Sequence, residues 1–310
     1  MLQKRKEMPA VWSATPTPFT KSLQVDGGSL RRLIAHHRRL GVGGLFVAGT
    51  CGEGPFLTRR HYEDLIQTTA EANRGDLALA VQVTGNSSEQ VRENARLAKR
   101  LGADYAVISE PLFYPPLSDS ARQLERHFQR TVDLSPLPVG VYFRSAVMPP
   151  RRYAELLLHP KIRLVKDSSG SPALRDVIVA AQKRRPDLTV LTGDEFAVVD
   201  YLRRGYSGVL AGGAALVGYL LTQLAEAVGR EDLGTAQRLQ KRINRILCAT
   251  YGGPKKGAWL AGLKYALVRL GVLSTPASLV SYPLTDRTKR AIDKMIEREK
   301  DVLLPAGRDA

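Results

Sequence analysis

Short apolar runs recur every ~20–35 residues, and the stretches between them carry apolar positions at the three-to-four spacing of a helix face. The runs centre on Val11–Thr15, Leu45–Gly49, Leu77–Val83, Tyr105–Ile108, Val139–Phe143, Ile162–Lys166, Thr189–Thr192 and Gly208–Ala211. Several are almost uninterrupted hydrophobics, as expected of parallel strands covered on both faces. Between them, Asp26 is placed to cap a helix with Leu30, Leu33, Ile34 and His37 on one face, and Gly41 to end it. Ser87 or Ser88 likewise precedes a face made by Val91, Ala95 and Ala98. An open doubly wound sheet alternates in the same way, but no glycine-rich dinucleotide fingerprint follows the first strand. Eight strand–helix units without that fingerprint predict a (β/α)8 TIM barrel over residues 1–228.

After Val228 the strand signals stop. Helical periodicity continues over Thr235–Ala249, Lys256–Leu270 and Thr285–Val302, which predicts a C-terminal helical extension, residues 229–310, packed on the barrel as a cap. No linker rich in Pro, Ser or Gly separates it. The most membrane-like run, Val209 to Val228, contains Gln223, Glu226 and the pair Gly212-Gly213, so it reads as a strand–turn–helix junction.

With 310 residues, 44% hydrophobic and 25% charged, the chain has material for one full-sized soluble core. Its cysteines, Cys51 and Cys248, exclude a disulfide framework and suit a reducing compartment, with the cytoplasm as the default. The basic N-terminus has no apolar stretch behind it, so a secretory signal is not expected. The net charge of +16 raises the idea of a polyanion partner. Its distribution points elsewhere, because Arg31-Arg32, Arg38-Arg39, Arg59-Arg60, Arg151-Arg152, Lys183-Arg184-Arg185 and Arg203-Arg204 are scattered over putative helices. A solvated outer helical layer is the expectation, with neither nucleic acid nor membrane as partner.

In such barrels the chemistry sits at the C-terminal ends of the strands. The sixth run ends in Lys166-Asp167-Ser168-Ser169, placing a lone lysine directly after apolar residues. Taken alone, Lys166 is either a salt-bridged structural group or a desolvated nucleophile. Removing an amine from water favours the neutral form that attacks a carbonyl carbon. The neighbouring run ends in Tyr142, and adjacent strands are about 4.8 Å apart, so both side chains can reach one cavity mouth. A phenol there suits the proton transfers of imine formation and aldol cleavage. The second run ends in Gly49-Thr50-Cys51-Gly52-Glu53, whose backbone N–H groups and Thr50 hydroxyl suit a carboxylate, with Glu53 read as capping the following loop. The histidines, His36, His37, His61, His127 and His159, form no zinc-like constellation and are expected in surface or interface packing; no metal or other cofactor is expected.

Lys166, Tyr142 and the Thr50 turn, in this order, resemble the dihydrodipicolinate synthase/N-acetylneuraminate lyase family of pyruvate-dependent aldolases. Thr15-Pro16-Thr17-Pro18-Phe19, Leu112-Phe113-Tyr114-Pro115 and Gly193-Asp194-Glu195 extend the likeness over most of the chain. The resemblance implies a Schiff-base lysine at Lys166, a proton-relay phenol at Tyr142, and a relay continued through Thr50 and Tyr114. It also implies a homo-oligomer, tetramer or dimer, in which the tyrosine at the Tyr114 position serves a neighbouring subunit. Gly193 and Leu210 are similar to positions lining the pyruvate pocket, and the N–H of Cys51 serves the substrate while its thiol does not act as nucleophile.

The synthase branch continues from its tyrosine with Asn-x-Pro and then an arginine for the carboxylate of aspartate semialdehyde. Here Tyr142 is followed by Phe143-Arg144-Ser145-Ala146-Val147, with Val147 at the arginine position and Arg144 as the candidate substrate-binding cation. Lys166-Asp167-Ser168-Ser169-Gly170 is more similar to branches acting on 2-keto-3-deoxy sugar acids or 4-hydroxy-2-oxo acids. The expected function is a Schiff-base lyase of pyruvate or a related 2-oxo acid, by aldol cleavage, condensation or dehydration. Dihydrodipicolinate synthase, a catalytically inactive ligand- or polyanion-binding barrel, and phosphate recognition at Ala211-Gly212-Gly213-Ala214 are the alternatives.

Overall fold

A computed structural model describes residues 9–111 and 120–306. Its strands are β1 (Val11–Ala14), β2 (Gly44–Val47), β3 (Ala78–Gln82), β4 (Tyr105–Ser109), β5 (Val139–Phe143), β6 (Ile162–Asp167), β7 (Thr189–Thr192) and β8 (Gly208–Ala211). All pair in parallel in sequence order, and β8 returns to β1 to close the barrel. The helices on the outside are α1 (Gly27–Arg39), α2 (Arg59–Asn73), α3 (Ser88–Arg100), α4 (Ser120–Leu134), α5 (Pro150–Leu157), α6 (Pro172–Arg184), α7 (Val198–Arg203) and α8 (Ala214–Gly229). Beyond them lie α9 (Leu233–Thr250), α10 (Trp259–Arg269) and α11 (Asp286–Leu303). The (β/α)8 barrel with a helical extension expected from the hydrophobic pattern is the observed architecture.

Local chemistry starts the helices where the sequence indicates. The Asp26 carboxylate accepts the Ser29 N–H at 3.0 Å at the start of α1, and the Ser87 hydroxyl accepts the Gln90 N–H at 3.2 Å at the start of α3. The run from Val209 to Val228 divides into β8 and α8 as expected, with Gly212-Gly213 at the junction. No helix among the described residues is long and apolar enough to cross a membrane.

Strand alternation decides which side chains face the barrel interior. Phe46, Ala80, Val107, Tyr142, Leu164, Leu191 and Leu210 belong to one apolar cluster, which continues into α8, α9, α10 and α11. Their neighbours Leu45, Val47, Leu79, Val81, Ala106, Ile108, Val141, Phe143 and Val165 belong to a second cluster beneath the outer helices. Lys166 is two residues after Leu164 and so shares its inner face. By the same parity Gln82 follows Ala80 inward and Ser109 follows Val107, giving the C-terminal ends of these strands a polar layer.

His36, His37 and His61 depart from the expected surface or interface role and are buried, whereas His127 and His159 are partly exposed. His36 and His37 are 3% and 0% exposed between α1 and the barrel, where His36 Nε2 lies 3.1 Å from the Ala215 carbonyl oxygen and His37 Nε2 lies 2.8 Å from Ser13 Oγ. The period of α1 accounts for this, since a helix packed on a strand buries about half of its turn whatever the residue type.

Candidate active site

Tyr142 on β5 and Lys166 on β6 are direct partners in the sheet register, and Ser109 on β4 pairs with Tyr142 on its other side. Lys166 Nζ lies 4.2 Å from the centroid of the Tyr142 ring and 5.0 Å from that of Phe46. Both Tyr142 and Lys166 are buried. Among the described residues, no carboxylate lies within ion-pair distance of Lys166. Burial pushes the Tyr142 phenol up, but the charge of Lys166, the flanking Thr50 and Ser168 hydroxyls and the charge of Arg144 outweigh it and leave the phenol below its ordinary value. An amine without a counterion beside an acidified phenol has the groups needed to attack a carbonyl and exchange protons with the adduct.

The turn after β2 brings Thr50 to this pair. Ala48 and Glu53 hold left-handed backbone (φ 55° and 57°), each at a cost of order 1 kcal/mol for a residue other than glycine. Gly54 is required because a Cβ there would stand 1.7 Å from the Ala48 carbonyl oxygen. Glu53 secures the turn from outside the substrate space. Its Oε1 meets Lys264 Nζ of α10 at 2.5 Å, and its Oε2 accepts the N–H groups of Leu279 and Val280 at 2.6 and 3.2 Å. The carboxylate therefore anchors the C-terminal extension and does not cap the loop that follows it, because its oxygens are taken by groups more than two hundred residues away in sequence.

Cys51 is buried, and burial pushes its thiol up to about 12, which removes thiolate chemistry at neutral pH. Gly193 ends β7 with its N–H donated to the Asp167 carbonyl oxygen at 2.6 Å. A Cβ at Gly193 would fall 1.9 Å from Ser168 Oγ, so glycine keeps Ser168 beside Tyr142. Leu210 is a buried apolar wall on β8, in the same cluster as Tyr142 and Phe46. Asp167 faces the other way and is used structurally, accepting from Ser169 and from the Tyr206 hydroxyl at 2.7 Å.

Arg144 folds onto Glu110, its Nη2 donating to the Glu110 carbonyl oxygen at 2.6 Å and its Nε to Glu110 Oε2 at 3.3 Å. Val147 is 48% exposed and offers no charge. Tyr114 lies outside the described residues. The turn at Gly212-Gly213 is a poor phosphate cradle, because the Gly213 N–H is already donated to Glu195 Oε2 at 2.7 Å. Burial raises the Glu195 carboxyl above its usual range despite the hydroxyl that Tyr251 donates to Oε1 at 2.6 Å.

A cavity of about 350 Å³ opens at the ends of β2 to β5 and reaches Thr50, Gln82, Ser109, Glu110 and Arg144. Gln82, Ser109 and Glu110 were not singled out from the sequence. The polar residues that end the β3 and β4 runs on their inward parity were the signal that could have found the first two.

By its fold and its relatives, the protein is a lyase of the class I aldolase type. The model of the dihydrodipicolinate synthetase family matches residues 7–299, and the chain belongs to that family. It is 27% identical over 298 residues to N-acetylneuraminate lyase 2 of Escherichia coli, with 94% of each chain covered. It is 30% identical over 284 residues to 4-hydroxy-tetrahydrodipicolinate synthase of Cereibacter sphaeroides, covering 90% of this chain and 94% of that one. Among solved structures, dihydrodipicolinate synthase of Bacteroides thetaiotaomicron superposes with a TM-score of 0.84 at 26% identity, covering 94% of this chain and 100% of that one. Relatives with either activity match at similar identity, so the second substrate has to be argued from the site.

Proposed function

We propose that Lys166 forms a Schiff base with pyruvate or a related 2-oxo acid, and that the enzyme cleaves, condenses or dehydrates a 2-keto-3-deoxy sugar acid or 4-hydroxy-2-oxo acid. The observation that carries this reading is the register pairing of Lys166 with Tyr142, with the amine against aromatic rings and no carboxylate of the described residues beside it. The amine adds to the ketone carbon, and the carbinolamine loses water to give the imine. Loss of a proton from the methyl group then gives an enamine that bonds to an aldehyde carbon; cleavage runs the same steps backwards. Tyr142 passes the protons, with the Thr50 hydroxyl next in line and Tyr114 completing the relay.

The N–H groups of the Thr50-Cys51 turn hold the substrate carboxylate, and Gly193 and Leu210 shape the pocket for its 2-oxo group. Arg144 borders the space for the second reactant. Assembly into a dimer or tetramer completes the site. No cofactor takes part. Val147 at the position of the synthase arginine favours this reading over dihydrodipicolinate synthase, although relatives with that name are as similar as the lyase.

The test is reductive trapping. Incubation with pyruvate and borohydride should leave a covalent adduct on Lys166, read by mass spectrometry; its absence with every 2-oxo acid tried would favour a binding protein. A panel of aspartate semialdehyde, N-acetylneuraminate, 2-keto-3-deoxygluconate and 4-hydroxy-2-oxoglutarate then ranks the branches, with aspartate semialdehyde expected last.

A further inference from the structure

The surplus of positive charge is unevenly placed. Between Leu233 and Thr285 the chain has eight cations and no Asp or Glu, so this stretch supplies half of the net +16. Two of the eight are used inside the fold, where Lys264 meets Glu53 and Arg269 meets Asp293. Four lie on α9, at Arg238, Lys241, Arg242 and Arg245, and Lys255 and Lys256 follow in the next turn.

At about 100° per residue, the four cations of α9 share about 100° of its circumference. That side is opposite the one through which Ala236, Ile243 and Leu247 join the core. Arg238, Lys241 and Arg245 are exposed, and no carboxylate among the described residues is within ion-pair distance of them. Arg242, at the edge of the stripe, reaches Glu299 and Asp301 of α11 at 2.7 and 3.2 Å. Like charges three and four residues apart on a helix repel, and α9 holds four such pairs with no acid of its own to offset them. Elsewhere the basic residues are answered one turn later, Arg59 and Arg60 by Glu63 and Asp64 on α2 and Arg151 by Glu155 on α5. Three exposed side chains contribute nothing to the core, so packing does not call for this stripe. An anion facing it would turn the repulsion into attraction.

The large apolar side chains exposed among the described residues are Leu23, Phe56, Val147 and Leu158, none of them on α9, α10 or α11. This face therefore lacks the apolar centre of a protein interface, the buried face of a membrane-lying helix and a platform for stacking unpaired bases. Evenly spaced point charges along a rigid rod fit a regular array of phosphates. We infer that the α9 stripe, continued by Lys255, binds the phosphate backbone of double-stranded nucleic acid without reading its sequence. This is independent of the imine reading.

The test is the fluorescence anisotropy of a labelled DNA duplex of arbitrary sequence, titrated with the full chain at salt concentrations from about 50 to 200 mM. The wild type should bind with a Kd of about 1–100 µM, and log K should fall with log salt at a slope of about −4. R238Q/K241Q/R245Q/K255Q should weaken binding by roughly tenfold or more and flatten the slope by about 3 to 4, since each phosphate contact accounts for about 0.9. R126Q/R130Q/R184Q/R203Q removes as much charge from exposed positions on α4, α6 and α7 and should move the slope by less than about 1. Glutamine is a good helix former, so both variants should melt close to the wild type. R238K/R245K keeps the charge and should bind as the wild type does. Equal losses in the two quadruple variants would mean a diffuse attraction and overturn the inference. So would a wild type that leaves the duplex unbound at the lowest salt, including one that instead binds vesicles of phosphatidylcholine and phosphatidylserine.

Discussion

Lys166 and Lys264 are both removed from water, at 6% and 0% exposure, yet they keep different company. Lys264 faces Glu53 and the Ala277 carbonyl oxygen, and lies 4.8 Å from the Phe19 ring. Burial lowers its ammonium below the usual lysine value, while the Glu53 carboxylate pulls the other way. Lys166 faces two aromatic rings and a phenol, and no carboxylate answers it among the described residues. An amine paired with a buried acid acts as a tether, whereas an unpaired one beside a proton carrier is free to bond with something else. Burial alone does not distinguish them; the partner does.

Substitutions that exchange these roles should separate activity from stability. K166M is expected to abolish adduct formation and to lower kcat by roughly 10⁴-fold or more, while the melting temperature stays at or above that of wild type, since an unpaired buried amine gives way to an apolar chain. Y142F should reduce kcat by roughly 10² to 10⁴-fold with slower imine formation in single-turnover trapping. A fold unharmed but kinetics unchanged in either variant counts against the proposed roles.

K264M should show the opposite pattern, a loss of about 3–5 kcal/mol in urea unfolding because Glu53 is left buried and charged. Combining it with E53Q should recover much of that loss. Equal destabilisation in the single and double variants is the result that would break the tether reading.

A smaller effect concerns α1. Burial lowers His36 to about 4 and His37 to about 3 from an ordinary 6.5, so the unfolded chain takes up protons before the native one does. Their contribution to stability is complete above about pH 6.5 and is lost as pH falls towards those values, by about 1.4 kcal/mol per unit for each histidine. Urea titrations at pH 7, 6 and 5 measure the slope, and H37Q should flatten it. The smallest effect expected is at Cys51, where C51S should stay within about threefold of wild-type kcat/KM, under 1 kcal/mol, and iodoacetamide at neutral pH should spare activity.

The barrel was legible because its evidence is local. Eight apolar runs fell within one or two residues of the observed strands, and the capping roles of Asp26 and Ser87 could be read three residues ahead. The positions of Tyr142 and Lys166 followed from counting along strands that pair in order. Contacts across the fold had no such trace. Nothing near Glu53 announces Lys264, Leu279 and Val280, and nothing near Glu195 announces Tyr251. Arg144 was legible as a cation at the mouth, but its engagement with Glu110 depends on how two neighbouring loops approach each other. The burial of His36 and His37 was obscured by residue type, since the helical period placed His37 on the inward face even though imidazoles usually prefer water.

The Glu53 turn also sets an order of events during synthesis. A nascent chain that has released residue 211 holds all eight strands, but the countercharge from Lys264 and the backbone donors from Leu279 and Val280 are still unmade. The contacts that hold the strained loop beside Thr50 can form only after residue 280 has left the ribosome, so closing the cylinder and locking that loop are separable steps in the life of each molecule.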